Sequence, residues 1–123
     1  MKKLVFLLLA VMILTACGQN KENGQGAVYV NITAEEAKQI MDSEEGYIIL
    51  DVRTQEEYDQ GHIPGAIVIS HEKISEKAEE VLTDKDQLIL VYCRSGRRRK
   101  IAAEALVELG YTNIKEFGGI IDW

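Results

Sequence analysis

Residues 88–100 of the chain, LILVYCRSGRRRK, decide how the rest of the sequence is interpreted. An apolar run ends at Cys93, and five cations follow it within this stretch. Residues 101–110, IAAEALVELG, then place apolar side chains at helical spacing and end in a glycine, a frequent helix terminator. The sequence therefore predicts a strand, a short loop and a helix, with Cys93 in the loop.

The cations near Cys93 lie where positive charge is unfavourable. The amino end of a helix already carries partial positive charge, and its first amide groups have no partners within the helix. In a chain of formal net charge -6, this placement predicts that a thiolate or a bound anion occupies the loop. A cysteine in such surroundings is expected to be reactive. The alternative is a buried structural cysteine followed by a solvated basic turn.

Length and composition limit the classes of protein to consider. A chain of 123 residues with 46% hydrophobic residues and one proline is long and apolar enough for a single domain with its own core. Acidic residues outnumber basic ones, 20 to 14, and the basic residues concentrate in one loop. Nucleic acid is therefore not an expected partner, because its binding needs a broad basic face.

The first residues of the chain are predicted to be a targeting signal and not part of the folded domain. Residues 1–16 join the charged MKK to a short apolar run, which is typical of a signal peptide and too short to span a membrane as a helix. The LTAC of residues 14–17 resembles the lipobox of bacterial lipoproteins. That resemblance implies cleavage before Cys17 and attachment of lipid to it.

A tether is predicted to follow, because residues 17–27 are polar and rich in glycine. The folded domain is then expected at residues 28–123. This organisation predicts an extracytoplasmic protein held at the bacterial cell membrane by lipid. The alternatives are an ordinary cleavage site, an uncleaved amino-terminal anchor and a disulfide between Cys17 and Cys93.

Strands and helices are predicted to alternate through the folded part. Capping boxes at Thr33 and Thr54 each mark the start of a helix. The other predicted elements are strands at 28–30, 47–50, 66–69, 88–92 and 112–116 and helices at 71–82 and 98–109. This alternation predicts an α/β fold of three layers, with a central, mainly parallel sheet of about five strands covered on both faces.

Two polar residues follow predicted strands directly, Asp51 and Cys93. Ligands of parallel sheets bind outside the carboxyl ends of the strands, so these two residues are expected to be neighbours at a site. For Asp51 a local role, capping its turn or pairing with Arg53, is equally consistent with the sequence.

Several motifs, taken in order, resemble the rhodanese (thiosulfate sulfurtransferase) homology domain from Val28 to the end of the chain. They are DVR at 51–53, EY at 57–58, GHIPGA at 61–66, CRSGRR at 93–98 and the FGGI that leads to Trp123. The resemblance implies a rhodanese-like α/β fold. It also implies that Cys93 attacks a sulfane sulfur donor, becomes a persulfide and passes the sulfur to a thiophilic acceptor.

The same resemblance implies roles for the residues around Cys93. Those expected to bind the substrate are Arg94, Ser95, Gly96, Arg97 and Arg98, and those expected to support the site are Asp51 and Arg53. Neither a metal nor an organic cofactor is implied, and His62 and His71 with one free cysteine do not make a zinc site. The expected partners are small sulfur-containing anions and a thiol or redox protein as acceptor.

Two other functions fit parts of the sequence. The domain is also interpretable as a non-enzymatic persulfide carrier or binding module at the membrane, because carriage needs the same persulfide. Arg99 stands where the family usually has a small residue, and residues 93–99 also match the pattern of a cysteine, five residues and an arginine found in tyrosine-type phosphatases. A phosphatase or arsenate reductase is therefore a further alternative. It depends on whether Arg99 is an exposed helix residue or a seventh loop position.

Overall fold

A single five-stranded sheet forms the centre of the protein. The structure is a computed structural model that describes residues 28–94 and 96–118. The strands are β1 (Tyr29–Asn31), β2 (Ile48–Asp51), β3 (Ile67–Val68), β4 (Ile89–Tyr92) and β5 (Ile114–Glu116). Their spatial order is β1-β5-β4-β2-β3, and all four pairings are parallel. The predicted α/β fold with a parallel sheet of about five strands is confirmed.

Helices connect the strands. They are α1 (Ala34–Ser43), α2 (Gln55–Gln60), a 3-10 turn (His71–Lys73), α3 (Ile74–Val81) and α4 (Gly96–Glu108). Both predicted capping boxes are formed, at Thr33 and Thr54. The predicted helix at 71–82 is divided, because its first turn is a 3-10 helix.

The start of α4 differs from the prediction. It begins at Gly96, whereas the apolar spacing predicted a start at residue 98. Apolar periodicity locates a helix only where its core-facing residues lie, and residues 96–100 are a glycine and four cations. Arg97, Arg98 and Arg99 are therefore all helical residues.

The sheet separates two apolar layers. Along β4 the side chains alternate, so that Ile89, Val91 and the following Cys93 pack in the layer of α3 and α4. Leu90 and Tyr92 pack on the opposite face. β4 lies between β5 and β2 and all of its residues are buried. Cys93 consequently follows a central strand that is covered on both faces.

Backbone hydrogen bonds hold the chain together just beyond the carboxyl ends of the strands. The amide of Val52 donates to Tyr92 O at 3.0 Å, and the amide of His71 donates to Val52 O at 3.0 Å. These bonds align the segments that leave β4, β2 and β3, and so fix the edge where Cys93 lies. Within residues 28–94 and 96–118, none of the helices has both the length and the apolar composition needed to span a membrane.

Candidate active site

Cys93 lies at the junction of the central strand β4 and α4, the longest helix within the described residues. Its side chain is fully buried in the layer below α4. Gly96, the first residue of α4, comes three positions later, so the amino end of the helix lies beside the cysteine. A helix amino end attracts negative charge because its amides and its dipole point toward the ligand. The local fold thus suits an anion at Cys93.

Arg98 approaches Cys93 from the first turn of α4. Its pKa is raised, chiefly by a hydrogen bond to Glu57 and in smaller part by the charge of Cys93. Arg98 Nη1 donates to Glu57 Oε1 at 2.9 Å and Nη2 donates to Oε2 at 3.3 Å, a two-point contact. Glu57 therefore fixes the orientation of a guanidinium within electrostatic reach of the cysteine.

Glu57 is itself held in place by the helix that carries it. It closes the capping box of α2, where its Oε1 accepts from the amide of Thr54 at 3.0 Å. Arg98 first, and then this backbone amide, lower the pKa of Glu57 from 4.5 to about 2. The carboxylate therefore stays charged at neutral pH and ties α2 to α4.

Arg99 is neither an exposed helix residue nor a free loop cation. It lies in the first turn of α4, its Nε donates to Glu116 Oε1, and its side chain is only 16% exposed. The guanidinium folds back against Gly96, since a Cβ added to that glycine would lie 3.5–3.6 Å from its atoms. Glu116 is buried at the end of β5, and its other oxygen accepts from Asn31 Nδ2 at 2.7 Å.

The remaining predicted binding residues divide into three groups. Arg94 and Arg97 are exposed beside the cysteine, and Gly96 is partly buried at the helix start. Ser95 lies outside the described residues, as do Cys17 and residues 119–123. The two exposed arginines are therefore the cations of this set that face solvent within the part of the chain that the structure describes.

Asp51 and Arg53 form a buried network on the opposite face of the sheet from Cys93. Asp51 Oδ2 accepts from Arg53 Nη2 at 2.7 Å and from the Tyr92 hydroxyl at 2.8 Å. Arg53 Nη2 also donates to Gly61 O at 2.7 Å, and the amide of Ile63 donates to the Tyr92 hydroxyl at 3.0 Å. Asp51 ends β2 and Cys93 directly follows the neighbouring β4, but the Asp51 carboxylate pairs with Arg53.

Sequence reasoning missed three side chains of this region, namely Glu57 as a partner of Arg98, Glu116 as a partner of Arg99, and the Tyr92 hydroxyl. The cations near Cys93 predicted a negative group in the loop, and Glu57 and Glu116 supply part of that negative charge. One signal was available, because Glu116 occupies an inward position of a strand, two residues after the buried Ile114. A carboxylate at such a position needs a cationic partner.

Comparisons with known proteins place this chain in a family. A family model described as the rhodanese-like domain matches residues 33–123. The thiosulfate sulfurtransferase PspE of Escherichia coli (strain K12) is 40% identical over 73 residues, covering 59% of this chain and 70% of PspE. YrkF of Bacillus subtilis (strain 168), whose name proposes a sulfur-carrier role, is 39% identical over 93 residues, or 75% of this chain.

The chain spans only about half of YrkF, 49% of its length. Among solved structures, a rhodanese with anions from E. coli superposes with a TM-score of 0.59 and 38% identity, covering 63% of this chain and 91% of that one. Because the family model matches most of the sequence, from residue 33 to residue 123, this chain belongs to the rhodanese-like domain family.

Proposed function

We propose that the protein is a sulfurtransferase that moves a sulfane sulfur from thiosulfate or a related donor to a thiophilic acceptor. The observation that carries this proposal is the placement of Cys93 after the central strand, beside the amino end of α4 and within reach of Arg98. Membership of the rhodanese-like family and the likeness to a thiosulfate sulfurtransferase support it.

The proposed reaction has two displacement steps. The Cys93 thiolate attacks the outer sulfur of thiosulfate, a new S–S bond forms, and the original S–S bond breaks so that sulfite leaves with its electron pair. An acceptor such as cyanide or a thiolate then attacks the outer sulfur of the persulfide, and the Cys93 thiolate leaves. Electrons balance in each step, and no oxidant is required.

The cations around Cys93 have separate tasks in this proposal. The exposed Arg94 and Arg97 attract the anionic donor, and Arg98, oriented by Glu57, offsets negative charge at the cysteine. Gly96 and Ser95 are proposed to contribute backbone amides to the anion. Asp51 and Arg53 support the edge of the sheet from the other face.

The experiment is a mass measurement. The full chain is treated with thiosulfate without reducing agent, and the Cys93 peptide is expected to gain the mass of one sulfur atom. Cys93→Ser should show no gain, whereas Cys17→Ser should keep it. Absence of an adduct on the unsubstituted chain overturns the proposal, and turnover of a phosphate ester by that same sample would favour the phosphatase alternative.

Sulfur carriage is a second candidate, which the likeness to YrkF favours. A carrier and an enzyme both form the persulfide, so the adduct does not distinguish them. Steady-state formation of thiocyanate from thiosulfate and cyanide does. Multiple turnovers per Cys93 support the enzyme, and one transfer to a protein thiol with no turnover on small acceptors supports the carrier.

We also propose that the domain acts outside the cytoplasm, anchored to the bacterial membrane through lipid on Cys17. The support is the signal-like residues 1–16, the LTAC that ends at Cys17 and the polar residues 17–27. The sulfur donor and acceptor would then be compounds or proteins of the cell envelope.

A further inference from the structure

We propose that Glu116 is a positioning residue that sets the anion specificity of the Cys93 site by withholding Arg99 from it. The inference rests on the proposed function, because it concerns the same anion site. In the presence of Glu116, a donor anion such as thiosulfate meets Arg94, Arg97 and Arg98 but not Arg99. Without Glu116, Arg99 would be available to tetrahedral oxyanions such as phosphate and arsenate.

Glu116 and Cys93 lie on the same side of the sheet. Glu116 ends β5, next to β4, and is in register with Val91. Val91 and Cys93 pack in the layer of α4, as does Ile114, two residues before Glu116. Because side chains alternate along a strand, the Glu116 side chain points toward α4 as well. The carboxylate is therefore on the face where the anion would bind.

The ion pair with Glu116 neutralises the charge of Arg99. Its Nε donates to Glu116 Oε1, and both side chains are largely shielded, 16% and 1% exposed. A buried carboxylate needs such a partner, because an isolated charge is costly to desolvate. The guanidinium that could bind an oxyanion with two parallel hydrogen bonds is thus engaged within the protein.

Arg99 nevertheless lies close to the anion loop. Its guanidinium atoms are 3.5–3.6 Å from the position of a Cβ on Gly96, which is three residues after Cys93. In this proposal a change of side-chain torsions carries the guanidinium toward the loop once Glu116 no longer binds it. Residues 93–99 would then present the cysteine and the arginine of the phosphatase pattern to the same anion.

The test measures how well inorganic phosphate or arsenate protects Cys93 from alkylation by iodoacetamide in the full chain. Glu116→Gln should lower the half-protecting concentration of these anions by about tenfold or more, as one added charge-assisted hydrogen bond predicts. The double variant Glu116→Gln with Arg99→Gln should return to the protection of the unsubstituted chain. Unchanged protection in Glu116→Gln overturns the inference.

Two further variants control for loosening of the structure. Asn31→Ala removes the other hydrogen bond of Glu116 but leaves Arg99 paired, so protection should not change. Arg99→Lys keeps a cation beside Glu116 but removes the guanidinium, and it should also leave protection unchanged, which keeps the inference testable if Glu116→Gln does not fold. Weaker protection in Arg99→Lys would show that the Arg99 guanidinium already binds the anion and would contradict the inference.

Alkylation does not require sulfur transfer, so the two proposals fail separately. A chain that gives no persulfide but gains oxyanion protection in Glu116→Gln overturns the sulfurtransferase proposal and supports the withholding of Arg99. A chain that forms the persulfide but shows equal protection in all variants supports the sulfurtransferase proposal and overturns the withholding of Arg99.

Discussion

At the scale of single residues, Tyr92 shows how a side chain next to the proposed nucleophile can belong to the scaffold. It precedes Cys93 and points to the other face of the sheet. Its ring is buried, and burial is the main reason that the pKa of Tyr92 is raised. The hydroxyl therefore keeps its proton and donates to Asp51 while it accepts from the amide of Ile63.

Tyr92→Phe is expected to destabilise the fold by about 1–3 kcal/mol, because the Ile63 amide would lose its acceptor in a buried setting. Urea unfolding checks this. Tyr47→Phe is the matched control, since its hydroxyl donates to Met41 O at 3.2 Å in a partly exposed setting. The control should lose at most about 1 kcal/mol. Equal losses in the two variants would contradict the assigned role of Tyr92.

The sequence predicted two alternative roles for Asp51 but did not decide between them. Direct involvement in the site and pairing with Arg53 were both consistent with a carboxylate at the end of a strand. The structure selects pairing, because Asp51 is the last residue of β2 and shares the face of Tyr92. Which face a strand-end side chain takes depends on the register of the strand, and one residue of shift reverses it.

At the scale of elements, the Glu57–Arg98 pair joins α2 to α4. The two side chains are 26% and 19% exposed, so the pair is only partly screened by solvent. α2 is six residues long, and its Tyr58 packs partly buried against the core and donates its hydroxyl to Ala66 O. The capping box and this ion pair add to that contact in holding α2 beside the site.

The ion pair predicts a pH dependence of stability. The pKa of Glu57 is lowered to about 2 in the folded protein, and the unfolded chain binds the proton near 4.5. The stabilisation is therefore present above pH 4.5 and is lost as pH falls toward 2. The difference in unfolding free energy between the unsubstituted chain and Glu57→Gln should shrink over this range.

Urea unfolding of both chains at a series of pH values measures this difference. Glutamine still closes the capping box, so the substitution isolates the ion pair. Glu56→Gln, an exposed neighbour on α2, is the control and should follow the unsubstituted chain. A difference that does not change with pH would contradict the role given to Glu57.

The start of a helix was predictable where a local sequence motif marks it, and it was not predictable elsewhere. The two capping boxes were found from four residues each, because the reciprocal hydrogen bonds need only Thr and Glu at fixed spacing. The start of α4 was placed too late. Its first turn consists of a glycine and cations, whose helical backbone is set by the surrounding tertiary structure.

At the scale of the whole molecule, the parallel sheet was predictable from the alternation of strands and helices, but the strand order was not. The pairing of Arg99 with Glu116 depends on that order, because β5 must lie beside β4 to bring the two side chains together. The pairing of Arg98 with Glu57 likewise joins residues 41 positions apart. Contacts of this kind cannot be read from local sequence patterns.

The predicted organisation of the chain leads to a test on the intact protein. When the protein is expressed in a bacterial host, its amino-terminal peptide is expected to begin at Cys17 and to carry the mass of acyl chains. Cys17→Ser should abolish both processing and acylation, whereas Cys93→Ser should leave them intact. A mature chain that begins elsewhere, or an unacylated Cys17 in the membrane fraction, would contradict the lipoprotein prediction.

The alternation of side chains between the two faces of β4 has a practical consequence for protein engineering. Tyr92 and Cys93 are consecutive, yet the Tyr92 hydroxyl binds Asp51 on one face of the sheet and Cys93 lies in the layer below α4 on the other. Heat resistance can therefore be sought by diversifying the Tyr92 side, and the specificity of the proposed sulfur transfer by diversifying the α4 side. Substitutions from the two sides that lie more than about 10 Å apart and share no partner are expected to combine additively in a single chain.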